Sequence, residues 1–291
     1  MWIPYICIYA FLIGFFTIYR KKAVQISNVH FTLALSSIIG FLLIAWKYAE
    51  AVTLSWQYVL LILLKSTIIS ASWTFELLAI KEAYLSVLQP ISAIKVVFGF
   101  FAGMLIFNES ATWTQFIGVF VVGIGIYLLR NNDKNNLFLQ RKGENRKKER
   151  KILTCFILSC LFSETSAIID KFTLQTITST QMQWWFMLFC SIILTIVFAV
   201  YCFKNKKFMA TKRDWQNIYI YTFAIILIVA DQFLFRGLMD PHSKASIASI
   251  LKQISLIVSV VFGALIFKEK GLKNRLFYIA IILIGIVIIL L

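Results

Sequence analysis

The stretch SVVFGALIFKEK at 259–270 repeats a phrase used earlier in the chain. The earlier copy, VVFGFFAGMLIFNE at 96–109, matches it at an offset of 160 positions. At this offset the copies share a glycine, a Leu-Ile-Phe run and a glutamate, which is Glu109 in the first copy and Glu269 in the second. Because self-similarity at a fixed offset indicates duplicated structure, the two stretches predict two equivalent halves of the chain.

The composition places both halves in a membrane. The 291 residues are 60% hydrophobic and 14% charged, against ~25% charged in a soluble domain. A helix needs ~20 apolar residues to cross a bilayer, and the runs are too continuously apolar for barrel strands. The predicted fold class is an all-α integral membrane protein with about ten transmembrane helices. The predicted spans are 2–19, 30–49, 56–80, 84–107, 113–130, 152–172, 181–203, 215–238, 245–267 and 273–291.

A long polar segment divides these spans into two sets of five. We predict a first five-helix repeat at 1–130, a basic cytoplasmic linker at 131–151 and a second repeat at 152–291. Because five is odd, the second repeat enters the membrane from the opposite side. Inverted repeats of this kind are typical of secondary transporters, whose substrate site lies near the midplane. In this interpretation Glu109 and Glu269 only terminate helices outside the hydrocarbon and bind nothing.

The basic residues predict an orientation. Loops after the odd-numbered spans hold 22 Lys and Arg, beginning with Arg20 and Lys21, and the opposite side holds about three. The positive-inside rule then places both termini outside the plasma (inner) membrane. The net charge of +16 favours contact with anionic lipids of the bilayer. Nucleic-acid binding is not expected, because the charges are spread over loops without a folded module.

Two stretches, 77–129 and 236–291, resemble the drug/metabolite transporter superfamily and, within it, the EamA group. Each has a small-residue start, a mid-helix break, an apolar stretch ending in Glu and a Gly-containing helix. The resemblance implies ten helices in two EamA repeats and transport of a small-molecule metabolite. Well-described members keep both termini in the cytoplasm, whereas the charge count here predicts the reverse.

Ionisable residues inside a membrane are costly and usually face a cavity or a partner. Glu164 and Lys95 lie near the middle of their predicted spans, so they are candidates for an ion pair or for two ends of a substrate site. A structural role for Glu164, with Lys95 or Ser159 as partner, is the alternative. LFSETSAIIDKF at 161–172 is also similar to the first helix of small multidrug resistance transporters, which implies that Glu164 exchanges protons.

Five further charges lie deeper in the predicted spans than a loop residue would. Glu76 and Arg236 occupy equivalent repeat positions, but inversion puts them at opposite membrane faces, where each lines a vestibule or snorkels. Asp231 is close enough in sequence to Arg236 to form a salt bridge with it. Lys65 and Lys252 are interpreted as side chains that reach outward to the surface.

Three other features bear on a site. Pro90 breaks span 4 just after Gln89, which frees carbonyls for a cavity or makes a simple kink. Trp73 flanks Glu76 and is expected to form an apolar cavity wall. Gly99 and Gly103 form a GxxxG pair, which permits close helix approach within the fold or between the protomers of a homodimer.

The sequence offers no catalytic motif. It has no P-loop, HExxH or GxSxG motif, and no pair of its five cysteines has metal-ligand spacing, so neither an enzyme nor a cofactor or metal is expected. A zwitterion or organic anion fits Lys95 better than a cation does. The function hypotheses are an ion-coupled or facilitative transporter that works by rocking of two five-helix bundles, a proton-coupled exporter of cationic drugs that uses Glu164, and a membrane sensor or assembly protein.

Overall fold

The computed structural model describes residues 2–132, 146–206, 210–269 and 272–290, which form α-helices joined by short turns. The predicted linker, 131–151, lies largely outside the described residues, and the next helix already begins at Arg146. The helices are α1 (Ile3–Ile26), α2 (Val29–Ile44), α3 (Tyr48–Ala51), α4 (Trp56–Glu82), α5 (Leu85–Ile91), α6 (Ile94–Phe107), α7 (Trp113–Asn132), α8 (Arg146–Thr173), α9 (Ser179–Lys204), α10 (Lys212–Trp215), α11 (Ile218–Met239), α12 (Ala245–Leu251), α13 (Ile254–Phe267) and α14 (Leu272–Leu290).

Eight helical segments are long and apolar enough to cross a membrane. Two of them, Leu85–Phe107 and Ala245–Phe267, consist of a short and a longer helix in series. The apolar parts of α7 and α14 are shorter, at Trp113–Leu129 and Leu276–Ile289. Eight of the ten predicted spans are therefore confirmed as segments of crossing length, and the count of ten is not confirmed. The protein is a multi-pass, all-helical membrane protein.

The helices of the two repeats are interleaved. The closest pairs are α1 with α11, α4 with α8, α2 with α9, α7 with α14, and the α5–α6 segment with the α12–α13 segment. Each pair joins one helix from each half, and exchanging the two halves maps the set of pairs onto itself. The packing therefore has the pseudo-twofold symmetry that the sequence repeat predicts. Neither repeat forms a separate five-helix bundle, contrary to the expectation of two such bundles.

Glycines let α7 and α14 approach backbone to backbone. A Cβ on Gly285 would lie 2.8 Å from the backbone nitrogen of Val122, and one on Gly118 would lie 2.8 Å from the carbonyl oxygen of Gly285. Backbone atoms cannot move aside as a flexible side chain can. The close contact of this pair therefore depends on both glycines.

The first helix is longer than predicted, because α1 continues to Ile26. Arg20 and Lys21, which the charge count assigned to a cytoplasmic loop, are helical and almost completely buried. The outer faces of the helices instead expose large apolar side chains such as Leu105, Trp113 and Phe203. Such a surface suits lipid contact, and the buried charges must find partners inside the protein.

Candidate functional site

Two helices are broken at equivalent positions. The first break separates α5 from α6 at 92–93, and the second separates α12 from α13 at 252–253. At both breaks the backbone tightens to three-residue turns: the Lys95 N–H donates to the Ser92 carbonyl at 2.9 Å, and the Ser255 N–H donates to the Lys252 carbonyl at 3.2 Å. Pro90 contributes to the first break because it lacks an amide hydrogen. Short 3₁₀-type turns inside a helix often mark functional positions.

The repeated glutamates bind the opposite repeat. Glu269 accepts hydrogen bonds from the N–H groups of Leu85 and Ser86, at 2.8 and 2.9 Å, where α5 begins. Glu109 accepts hydrogen bonds from the N–H groups of Ala245 and Ser246, at 2.6 and 3.2 Å, where α12 begins. Carboxylates satisfy unpaired amides and the dipole at a helix start. The expectation that these two glutamates bind nothing was wrong, because each one caps a half-helix of the other copy.

Backbone geometry directs each glutamate toward the start of the helix that it caps. Asn108 and Lys268, the residues just before them, both adopt the left-handed conformation, with φ of 50° and 49°. The chain therefore reverses at the end of α6 and α13 and carries each carboxylate across to the neighbouring broken helix. We name the two ends of the molecule after these residues, the Glu269 end and the Glu109 end.

A cavity of about 140 Å³ lies between the two breaks. It is polar and charged, and its aromatic lining includes Trp73 and Phe186, whose rings meet edge to face at 5.9 Å. Gln89 and Lys95 reach it from the first broken helix, and Ser249, Lys252, Gln253 and Ser255 reach it from the second. Its charged lining residues are Arg20, Lys65, Glu76, Lys95, Glu164, Asp170, Asp231 and Lys252.

Two buried ion pairs lie toward opposite ends of this cavity, and both use helix α4. Glu76 pairs with Arg20 of α1, with 2.6 Å between the charged atoms, toward the Glu269 end. Lys65 pairs with Asp170 of α8 toward the Glu109 end. Glu76 therefore does not snorkel, and the expectation that Lys65 reaches the surface was wrong because it is 2% exposed. Eleven residues separate the two α4 charges, about three helical turns, which places them on one face.

Lys95 and Lys252 are the remaining cavity cations, one from each broken helix. Among the described residues neither ammonium group has a carboxylate within 4.0 Å, so the ion pair between Lys95 and Glu164 is not formed. Lys252 lines the cavity and so does not have the surface position expected for it. Within the described ranges, both lysines therefore present their charge to the cavity without an ion-pair partner.

Glu164 lies at a constriction beside the cavity. The Ser249 hydroxyl donates to the Glu164 carboxylate, and Gly99 packs against both. A space of about 10 Å³, lined mainly by small residues, continues from here. It reaches Lys171, which also lines a wider vestibule of about 560 Å³ with Lys244. The cavity and the vestibule at the Glu109 end are thus separated by the contact between Glu164 and Ser249.

Asp231 and Arg236 are not brought together. Asp231 is 6% exposed and lines the cavity, whereas Arg236 is on the exposed surface of α11 and does not line the cavity. No salt bridge joins them in the described part of the chain. The GxxxG glycines also serve the fold, because Gly99 contacts Ser249 and Gly103 contacts Glu109 and Ser246. This pair therefore gives no support to a homodimer.

Sequence reasoning missed the charges that lie at predicted span ends. Arg20 and Asp170 both line the cavity, but the sequence prediction placed Arg20 in a loop and did not include Asp170 among the intramembrane charges. The signal was present: α1 and α8 align at an offset of 150, which superposes Arg20 on Asp170 and Lys21 on Lys171. Two adjacent charges recurring at equivalent positions would have identified them as part of the repeated structure.

These features define a class: a helical membrane protein built from two repeats around a polar cavity between broken helices, which is a plan typical of secondary transporters. The family model of the EamA-like transporter family matches residues 1–131 and 150–291. The chain therefore belongs to the EamA-like transporter family.

Comparison with solved structures supports the same architecture. A crystal structure described only as that of a protein matches with a TM-score of 0.64, covering 96% of this chain and 95% of the other. The two sequences are 12% identical, so the likeness concerns the fold alone. No curated protein matches the sequence.

Proposed function

We propose that the protein is a secondary transporter of a small zwitterion of the amino-acid type. The observation that carries this proposal is the charge left over in the cavity. Once Arg20 is paired with Glu76, and Lys65 with Asp170, two cations and two carboxylates remain. A ligand that carries both a carboxylate and an ammonium group would complement the two cations and one of these carboxylates, Glu164.

Lys95 and Lys252 are the proposed partners of the substrate carboxylate. They come from the two opposed helix breaks, so a carboxylate between them would contact both repeats at once. The proposed partner of the substrate's ammonium group is Glu164, which would exchange its hydrogen bond from the Ser249 hydroxyl for one from the substrate. Trp73 and Gln89 complete the lining. Two unpaired cavity lysines disfavour an exporter of cationic drugs, because like charges repel.

The size of the cavity favours a small ligand. Its volume of about 140 Å³ is close to the ~150 Å³ of an engineered cavity that holds benzene. A ligand of about six non-hydrogen atoms, such as alanine, is therefore the first candidate. Because the helices of the two repeats are interleaved, alternating access would move the pair of broken helices relative to the surrounding helices.

The test is uptake of labelled alanine into proteoliposomes, with competition by excess propionate and ethylammonium, each of which keeps one charged group of alanine. Lys95→Met and Lys252→Met should each reduce uptake at least tenfold. Arg236→Met is the matched control, since it removes an exposed cation outside the cavity and should leave uptake unchanged. Equal uptake by all four proteins, or competition by ethylammonium alone, would contradict the zwitterion assignment and favour a cation exporter.

A wider panel of labelled amino acids and organic acids decides whether the protein transports at all. If folded protein moves none of them, with or without a pH gradient, the sensor or assembly hypothesis replaces the transporter. Size-exclusion chromatography of each variant verifies that a loss of uptake is not a loss of fold.

A further inference from the structure

Asp231 is a buried carboxylate with one oxygen atom, Oδ2, to which no described residue donates a hydrogen bond. It lies on α11, is 6% exposed and lines the cavity. Its Oδ2 atom is buried and accepts no hydrogen bond. A buried carboxylate without a donor is costly, because it loses hydration without replacement. Glu164, by contrast, accepts a hydrogen bond from Ser249.

The charges around Asp231 do not balance it. From α4 and α8 it faces Lys65 and Asp170, and the ionisable groups nearby on α1 and α9 are Tyr9 and Cys190. Lys65 is held by the ion pair with Asp170 and by two rings, with its Nζ 3.8 Å from the centroid of Phe186 and 4.7 Å from that of Phe235. Among the described residues, the ammonium group of Lys65 is therefore the single positive charge that acts on both carboxylates, those of Asp170 and Asp231. The cluster carries a net negative charge when both carboxylates are ionised.

A proton fits this cluster better than a metal ion does. Ca²⁺ and Mg²⁺ require about six oxygen ligands, and no group of three or more His, Cys, Asp or Glu residues in the described ranges could hold a metal. The ammonium group of Lys65 also repels a second fixed cation beside it. A proton needs no additional ligands, cancels the excess charge and turns the unsatisfied carboxylate into a hydrogen-bond donor.

We propose that Asp231 binds the proton whose movement drives transport, while Glu164 contacts the substrate. This inference rests on the proposed transport function and adds the coupling ion and the residue that carries it. Asp231 takes up a proton from the solution that enters the cavity on one side of the membrane and releases it on the other. Lys65 and Asp170 position and polarise the site but remain paired.

Two transport modes separate coupling from binding. Counterflow exchanges labelled for unlabelled alanine without net proton movement, whereas accumulation against a gradient requires the proton. The wild type should perform both when a pH gradient is imposed. Asp231→Asn, which has nearly the same shape but cannot change its charge, should keep counterflow within about twofold and lose accumulation completely. Glu164→Gln should weaken both modes, because it acts on substrate binding.

A titration that needs no substrate provides the second measurement. Infrared difference spectra of the wild type between acidic and alkaline pH should show a protonated carboxyl band that is missing in Asp231→Asn. Accumulation by Asp231→Asn at the wild-type level, loss of its counterflow in folded protein, or an unchanged carboxyl band would each overturn the assignment. Wild-type counterflow without accumulation would overturn proton coupling but leave the transport function intact. Absence of both modes in the wild type would refute the transport function, and the infrared titration would still decide whether Asp231 binds a proton.

Discussion

The two reciprocal caps provide a quantitative comparison, because only one of them is also an ion pair. Lys21 donates to Glu269 at 3.0 Å and to the Ala83 carbonyl at 3.1 Å, and both charged side chains are 0% exposed. The lysine thus joins the end of α4 to the carboxylate that caps α5. Glu109 caps α12 in the same way but has no cation within 4.0 Å among the described residues.

Replacing each glutamate by Gln should therefore lower the free energy of unfolding by different amounts. Loss of a cap costs about 0.5–2 kcal/mol, and this is the expected cost of Glu109→Gln. Glu269→Gln also leaves Lys21 buried without a counter-charge, and breaking a buried pair costs about 3–5 kcal/mol. Neither side chain of the pair contacts solvent, so no discount for screening applies. We expect Glu269→Gln to destabilise the fold by about 3 kcal/mol more than Glu109→Gln.

The assay is equilibrium unfolding in mixed micelles by titration with a denaturing detergent, followed by tryptophan fluorescence. A double-mutant cycle isolates the ion pair. Adding Lys21→Met to Glu269→Gln removes the orphaned ammonium group and should restore most of the difference from Glu109→Gln. Equal destabilisation by the two single variants, or no recovery in the double variant, would show that the buried pair does not stabilise the fold.

Burial opposes ionisation of Glu269, but Lys21 and Ser86 outweigh it and hold its pKa below the usual 4.5. A carboxylate whose pKa is lower in the folded than in the unfolded protein stabilises the fold at any pH above its unfolded-state pKa. This contribution is lost as the pH falls through the folded-state pKa. The stability gap between wild type and Glu269→Gln should therefore close on acidification below about pH 4 in the same unfolding assay, and a constant gap would exclude the linkage. At the constriction, a Cβ on Gly99 would lie 2.4 Å from Ser249 Oγ and 2.7 Å from Glu164 Oε1. Gly99→Ala should lower alanine affinity in a binding isotherm by about tenfold, as overpacking of ~1–3 kcal/mol implies; Gly123→Ala, whose Cβ meets nothing within 4 Å, should not.

The regular part of the fold was accessible from the sequence because it depends on local pattern. Apolar runs of bilayer length, a repeat at a fixed offset and Pro90 predicted most spans, the duplication and the first helix break. The second break has no local signal, since 252–253 contains neither proline nor glycine, and only the family resemblance and its equivalence to 92–93 indicated it. A repeat therefore carries structural information from a position with a strong local signal to one without.

The charged part of the fold was harder to predict because its partners are distant in sequence. Arg20 pairs with a residue 56 positions away, and Lys21 pairs with one 248 positions away. A hydropathy window ends the first span where these charges begin, although the helix continues past them. In the membrane, a charge at a span end either reaches solvent or meets a partner, and single-residue position does not decide between the two.

The repeats share a backbone plan but not a charge pattern, and this difference bears on mechanism. At equivalent positions Arg20 corresponds to Asp170, Lys95 corresponds to Ser255, and Ser92 corresponds to Lys252. A symmetric backbone allows two conformations related by exchange of the repeats, which would have equal energy if the sequences were identical. The unequal charges remove that degeneracy. A proton or a substrate that binds on one side of the pseudo-twofold axis has different contacts in the two conformations, and this difference in affinity is what shifts a population. In the proposed transport mechanism, duplication would supply the alternative states, and the charges that differ between the repeats would let a ligand select between them.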